Sequence, residues 1–182
     1  MATCGRPSSR TSADELRRLL AGVPTPYVVI GHSIGALIAL IVAADPPEGL
    51  AGLVLVDPTD LQLDLDVEQQ TLFLRDGERE DCTTFDTLAS LPAVTASQRR
   101  LEMPSVVVTS RPDAWLELED PTPWKPFTLE DLRTRWQQVH HHLANTLGST
   151  HLIATQGAHY IQKDQPSLIT RSILSVVAPL GG

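Results

Sequence analysis

Tyr27-Val28-Val29-Ile30-Gly31-His32-Ser33-Ile34-Gly35-Ala36 is the stretch on which the fold turns. Its first four residues are apolar without alternation, the pattern of a strand covered on both faces. From Ile34 to Ala44 the chain is apolar nearly all round, which predicts a buried helix rather than an amphipathic one. Between the two, Gly31 to Gly35 spells G-x-S-x-G. A serine at such a strand-to-helix turn is held in a strained conformation with its hydroxyl above the sheet. Gly31 and Gly35 are expected to be glycines because side chains there would collide in the tight crossing, and Ala36 keeps the next position small. The helix behind Ser33 aims free N–H groups at the site, so the Ile34 amide is placed to stabilise an oxyanion. A dinucleotide site is excluded, because the G-x-G-x-x-G spacing is absent.

The same grammar continues on both sides. Upstream, Ser12–Ala21 reads as a helix with Ser12 and Glu15 as a capping box and Leu16, Leu19 and Leu20 as its stripe. Downstream, Leu53–Val56, Val106–Val108 and His151–Ala154 are further continuous apolar strands. Helices are expected over Thr128–Leu147 and after Pro166. Strands of this kind alternating with helices specify an α/β fold with about four parallel strands flanked by helices. Residues 61–100 interrupt the alternation and are too long for a connector. They read as a mostly helical cap or lid inserted into a single domain over 1–182.

The 182 residues carry a formal net charge of -8, and 42% are hydrophobic, the profile of a soluble globular domain. Without a Lys/Arg cluster, nucleic acid is disfavoured as a partner. The longest apolar stretch, Ile34–Ala44, falls short of the ~20 residues that span a bilayer. No apolar core follows Met1, so a cytoplasmic location without a secretory leader is expected. Cys4 and Cys82 make neither a disulfide framework nor a metal site. No cofactor or metal is implied; the expected partner is a small-molecule substrate.

A serine nucleophile needs a base and an acid. His159, in Gln156-Gly157-Ala158-His159-Tyr160, follows the last strand, on the edge where loops of a parallel sheet gather. His32 is expected to pack beside the turn, His151 to be structural, and His140, His141 and His142 to fan around a solvated helix face. For the acid, Asp113 follows the third strand in the order Ser…Asp…His. Asp57, ending the second strand, is its rival, and Asp60 a weaker third. Trp115, Trp124 and Trp136 read as core or lid anchors. Pro121–Pro126 reads as a rigid surface loop or, alternatively, the rim of an apolar pocket. The aspartates near 64–66, like Glu117, Glu119 and Asp120, read as solvated charges.

Three segments in this order, Pro26 to Gly35, Gly52-Leu53-Val54-Leu55-Val56-Asp57 and Gly157-Ala158-His159-Tyr160-Ile161-Gln162, make the chain resemble the α/β-hydrolase superfamily, in its esterase-like and haloalkane-dehalogenase-like flavour. The resemblance implies Ser33 as nucleophile, His159 as base, an acid after the third or second visible strand, and a cap over 61–100. Full members have eight strands with the elbow after the fifth, so this chain corresponds to the last four and lacks the loop that usually gives the second oxyanion N–H. The strand at 27–30 then becomes an apolar sheet edge, expected to be covered by a homodimer partner, a partner chain or the segment Met1–Arg10. Two functions follow as expectations. One is a serine-dependent hydrolase for an uncharged or apolar ester, lactone or thioester, whose triad could also serve elimination, cyclisation or acyl transfer. The alternative is a non-catalytic binding or assembly protein that keeps the elbow.

Overall fold

The computed structural model describes residues 8–67 and 86–178. Four strands, β1 (Tyr27–His32), β2 (Leu50–Val56), β3 (Ser105–Thr109) and β4 (Thr150–Ile153), form one parallel sheet in the order β1-β2-β3-β4. The helices are α1 (Ser9–Leu20), α2 (Ile34–Ala44), α3 (Leu61–Asp66), α4 (Thr87–Ser97), α5 (Leu129–Leu147), α6 (Ile161–Asp164) and α7 (Pro166–Val177). Every connection between neighbouring strands contains at least one helix, which is what parallel pairing requires.

Side chains along β2 and β3 alternate between two cores, as the strand period of two dictates. Leu53, Leu55 and Val107 face Ala13, the α2 side chains Leu37, Leu40 and Ile41, and Leu143 and Leu147 of α5. Val54, Val56, Val106 and Val108 face Ile161, Leu168, Ile169 and Val176 of α6 and α7. Both faces of the sheet are thus covered, which is why these strands are continuously apolar. A third cluster, Leu63, Val67, Leu132 and Trp136 with Trp115 and Trp124, is separate from both. β1 lies at one edge and pairs with β2 alone among the described residues. Its Ile30 is 47% exposed.

Two expectations shift. Helix α1 begins three residues early: the Ser8 side chain accepts from the Thr11 N–H, and Ser12, expected as the cap, already donates its N–H to the Ser8 carbonyl. The proposed cap divides. α3 roofs the cavity described below, whereas α4 packs Ala93 and Val94 into the core with α2, as part of the helical layer. The middle of that insertion, 68–85, and both cysteines lie outside the described residues. No helix among the described residues is long and apolar enough to cross a membrane.

Only one of the two elbow glycines is sterically required. A Cβ on Gly31 would collide with the Gly35 carbonyl and sit 2.6 Å from Ala36 Cα, whereas a Cβ on Gly35 would meet nothing within 4 Å. The clash at Gly31 is backbone on backbone, so no rotamer relieves it. Gly31→Ala is expected to cost about 3 kcal/mol or more. Gly35→Ala, inside a helix, is expected to be neutral or stabilising by up to about 1 kcal/mol. Chemical denaturation of the two variants checks the pair.

Candidate active site

Where β1 gives way to α2, the chain turns through Ser33 at φ 56 and ψ -126, a left-handed conformation unusual for a residue with a side chain. The Ser33 N–H donates to the Val56 carbonyl at 3.0 Å, which ties the turn to the end of β2. Ile34 opens the helix, so its N–H has no carbonyl one turn earlier to bond and remains available at the positive end of the helix dipole. The Ser33 hydroxyl lies 3.2 Å from the Thr59 hydroxyl.

β2 ends in Asp57, at φ 45, whose N–H donates to the Val108 carbonyl at 2.7 Å. Its buried carboxylate is fully engaged. Oδ1 accepts from the Ser110 N–H at 2.8 Å and from the Trp136 indole N–H at 2.9 Å. Oδ2 lies 2.9 Å from His159 Nδ1, which donates to it. Burial alone would raise the carboxyl pKa. The hydrogen bond from His159, the proximity of His140, and the Ser110 and Trp136 donors outweigh it and hold Asp57 below the usual carboxylate range. A neutral imidazole whose proton is held on Nδ1 has Nε2 left to accept another. His32 Nε2 donates to the His159 carbonyl at 2.7 Å, and the two rings stand 4.5 Å apart, so His32 fixes the loop that carries His159.

Asp113 is elsewhere. It occupies a 3-10 turn, Pro112–Glu117, that carries its side chain outward to 65% exposure, and there it accepts from Arg133 at 3.4 Å. The carboxylate on His159 is therefore Asp57, not Asp113. Asp60 is committed to capping α3 and to Arg135, at 2.8 Å from its Nε.

The three consecutive histidines do not share one environment. His141 and His142 are exposed, but His140 is 1% exposed. It donates from Nε2 to the Pro58 carbonyl at 2.7 Å and meets the Thr109 hydroxyl with Nδ1 at 3.1 Å. That Nδ1 is also 3.9 Å from Asp57 Oδ1. Burial holds His140 below the ordinary imidazole pKa. His151 contacts the other side of the Thr109 hydroxyl at 2.7 Å.

Above Ser33 and His159 is a cavity of about 390 Å³, walled by Leu63, Trp115, Leu118, Trp124 and Trp136. The proline-rich run is part of its wall, since it delivers Trp124 through a second 3-10 turn, Thr122–Trp124. Among the described residues, one carboxylate besides Asp57 also borders the cavity. Asp64, expected as a solvated charge, is half-buried, and burial together with repulsion from Asp60 pushes its pKa up to about 7. Unfolded, it would titrate near 3.8, so between these values the folded state binds the extra proton. Asp64 therefore lowers stability as pH rises from about 4 to 7. Asp64→Asn is expected to be stabilising at pH 8, by on the order of 1–3 kcal/mol after allowing for solvent screening, and near neutral at pH 4. Urea unfolding of both proteins at the two pH values checks it.

The profile of the alpha/beta hydrolase family matches residues 2–177. The chain belongs to that family. As an alpha/beta hydrolase it is a hydrolase-type enzyme by descent. Solved structures share the fold at low sequence identity. An alpha/beta hydrolase from the metagenome of Mar Chica lagoon sediments in Morocco superposes with a TM-score of 0.62 at 15% identity, over 100% of this chain and 74% of that one. MenH from S. aureus gives 0.61 at 13%, over 96% and 77%. A lipase-esterase related protein from Clostridium acetobutylicum gives 0.62 at 11%, over 93% and 75%. A comparison with curated proteins found no significant sequence match.

Proposed function

We propose that this alpha/beta hydrolase is a serine hydrolase that cleaves an ester, lactone or thioester with an apolar group beside the reacting carbonyl. Ser33 is the nucleophile, His159 the general base and Asp57 the acid that orients it. The observation that carries the reading is the 2.9 Å bond from His159 to Asp57, on the cavity bordered by the strained Ser33. A carboxylate with three donors, kept ionised while buried, is what an imidazole needs to hold one tautomer and to bear positive charge.

Catalysis begins when the Ser33 hydroxyl leaves Thr59 for His159 Nε2. Oγ attacks the carbonyl carbon as its proton passes to the imidazole, and the carbonyl oxygen becomes an oxyanion facing the Ile34 N–H. The Thr59 hydroxyl, 3.2 Å from Oγ, supplies a second donor that does not depend on a further loop. The imidazolium then gives its proton to the leaving alcohol or thiol. Water, deprotonated by His159, releases the acid and restores Ser33.

The test is intact mass after treatment with a fluorophosphonate, for the wild type and Ser33→Ala. One stoichiometric adduct, lost in the variant, is expected. A folded wild type that takes no label would overturn the hydrolase reading and leave a binding protein that retains the elbow.

A further inference from the structure

Asp64 is the carboxylate of the α3 segment that no side chain neutralises among the described residues. Asp60, just before the helix, accepts from the Gln62 N–H and pairs with Arg135 Nε. Asp66, at its end, pairs with Arg135 Nη1 at 2.8 Å and accepts from the Gln62 amide. Among the described residues, the guanidinium of Arg135 is thus committed to both neighbours. Between them Asp64 has neither hydrogen bond nor ion pair on its carboxylate among the described residues, and it borders the cavity shared by Ser33 and His159.

The remaining wall is mostly apolar, with Leu63, Trp115, Leu118, Trp124 and Trp136, and its hydroxyls and His159 belong to the reacting end. Trp115 meets Trp124 at 89° with ring centroids 4.9 Å apart, and Trp136 at 64° and 5.2 Å. Tryptophan rings that line a cavity favour a cation over an anion, because the ring face carries the negative end of the quadrupole. An isolated charge in such a place is costly unless a counter-charge arrives with the ligand. The net charge of -8 further favours cations around the molecule.

We propose that the cavity binds a substrate whose end remote from the ester carries a substituted ammonium, with Asp64 as its counter-ion and the tryptophan faces around its alkyl groups. The ester itself rests on the hydrolase reading above; the ammonium does not, because its recognition can be measured without turnover. The bond that reacts stays uncharged while the remote end is cationic, so the substrate class is narrower than an apolar ester.

Among the described residues, the ionisable groups around Asp64 are Asp60 and Asp66 with Arg135 of α5, and, on other parts of the cavity, Asp57 with His159; His140 lies behind Asp57. In the empty site Asp64 is largely protonated below neutral pH, so an ammonium must displace that proton. Cation affinity should therefore rise between about pH 6 and 8.

The probes are choline and its neutral isostere 3,3-dimethylbutan-1-ol. Binding is read by intrinsic fluorescence, since all three tryptophans of the chain line this cavity. Choline is expected to bind the wild type about tenfold tighter than the alcohol at pH 8. The preference should fall to about one in Asp64→Asn and in Asp64→Ser, whose folding is verified by near-UV circular dichroism. Equal affinities in the wild type, no response to choline, or a preference that survives both substitutions overturns the proposal. Charge discrimination without fluorophosphonate labelling would uphold the ammonium site and overturn the hydrolase; labelling without discrimination would do the reverse.

Discussion

Ser33→Ala, His159→Ala and the double variant are each expected to lower kcat on a p-nitrophenyl ester by about 10⁶, with the double variant no worse than either single one. The equality follows from the mechanism. Ser33 without a base remains an alcohol of low nucleophilicity, and His159 without a nucleophile has no proton to take. Each substitution therefore removes the whole covalent route. What survives is binding in the cavity and the donors at the oxyanion position, which do not pass through either side chain. Thermal unfolding of Ser33→Ala should match the wild type to within a few degrees, whereas the two variants without His159 should unfold at a lower temperature, because the buried Asp57 carboxylate loses its Nδ1 donor. Additive losses in the double variant would mean that the two residues act separately, and the triad assignment would fall.

The layout of the sheet and its elbow could be read from the chain, because both are local patterns. Three of the strands centre on an apolar run, Tyr27–Ile30, Leu53–Val56 and Val106–Val108, although β1 continues through Gly31 and β2 begins before Gly52. Gly31 was legible as well, since the crossing it permits lies between residues only four and five positions apart. Gly35 was over-read: its position in the motif does not reveal that its outward side is open. The start of α1 was misplaced for a related reason. Ser8 and Ser12 are both acceptable caps, and the choice depends on Ser9, whose N–H and hydroxyl bond to Ser90 far along the chain.

The roles of His140 and Asp64 were harder to see, but the signal for one was present. Leu132, Trp136, His140, Leu143 and Leu147 follow one another at intervals of four, four, three and four, a helical stripe that puts His140 on the buried face and its two neighbours outside it. A solvated helix face for all three histidines overlooks that phase. Asp64 offers no comparable cue. Its environment is made by tryptophans from three later segments, and only tertiary structure brings them together.

The acid is the sharpest instance, and it yields the second large effect. Asp57→Asn is expected to lower kcat by about 10⁴, while Asp113→Asn changes it by less than about twofold. Both aspartates follow strands on the correct edge of the sheet, Asp57 directly after β2 and Asp113 a few residues after β3, and the sequence offers no local signal to choose between them. The choice is made by Ser110 and Trp136, 53 and 79 residues beyond Asp57, which hold its carboxylate so that Oδ2 meets His159. An asparagine there can turn its amide N–H toward Nδ1, which forces the imidazole proton onto Nε2 and disables the base. It also removes the charge that stabilises the imidazolium. Asp113 has only an exposed contact with Arg133 to lose. Stability separates the two sites as well. The folded pKa of Asp57 is depressed, so its ionic contribution is present above about pH 4 and is lost as pH falls through the lowered value. The wild type should lose stability on acidification below pH 4 more steeply than Asp57→Asn, while Asp113→Asn tracks the wild type. A kinetic loss at Asp113 without one at Asp57 would move the acid to the other strand, and the 2.9 Å contact would then have to be structural alone.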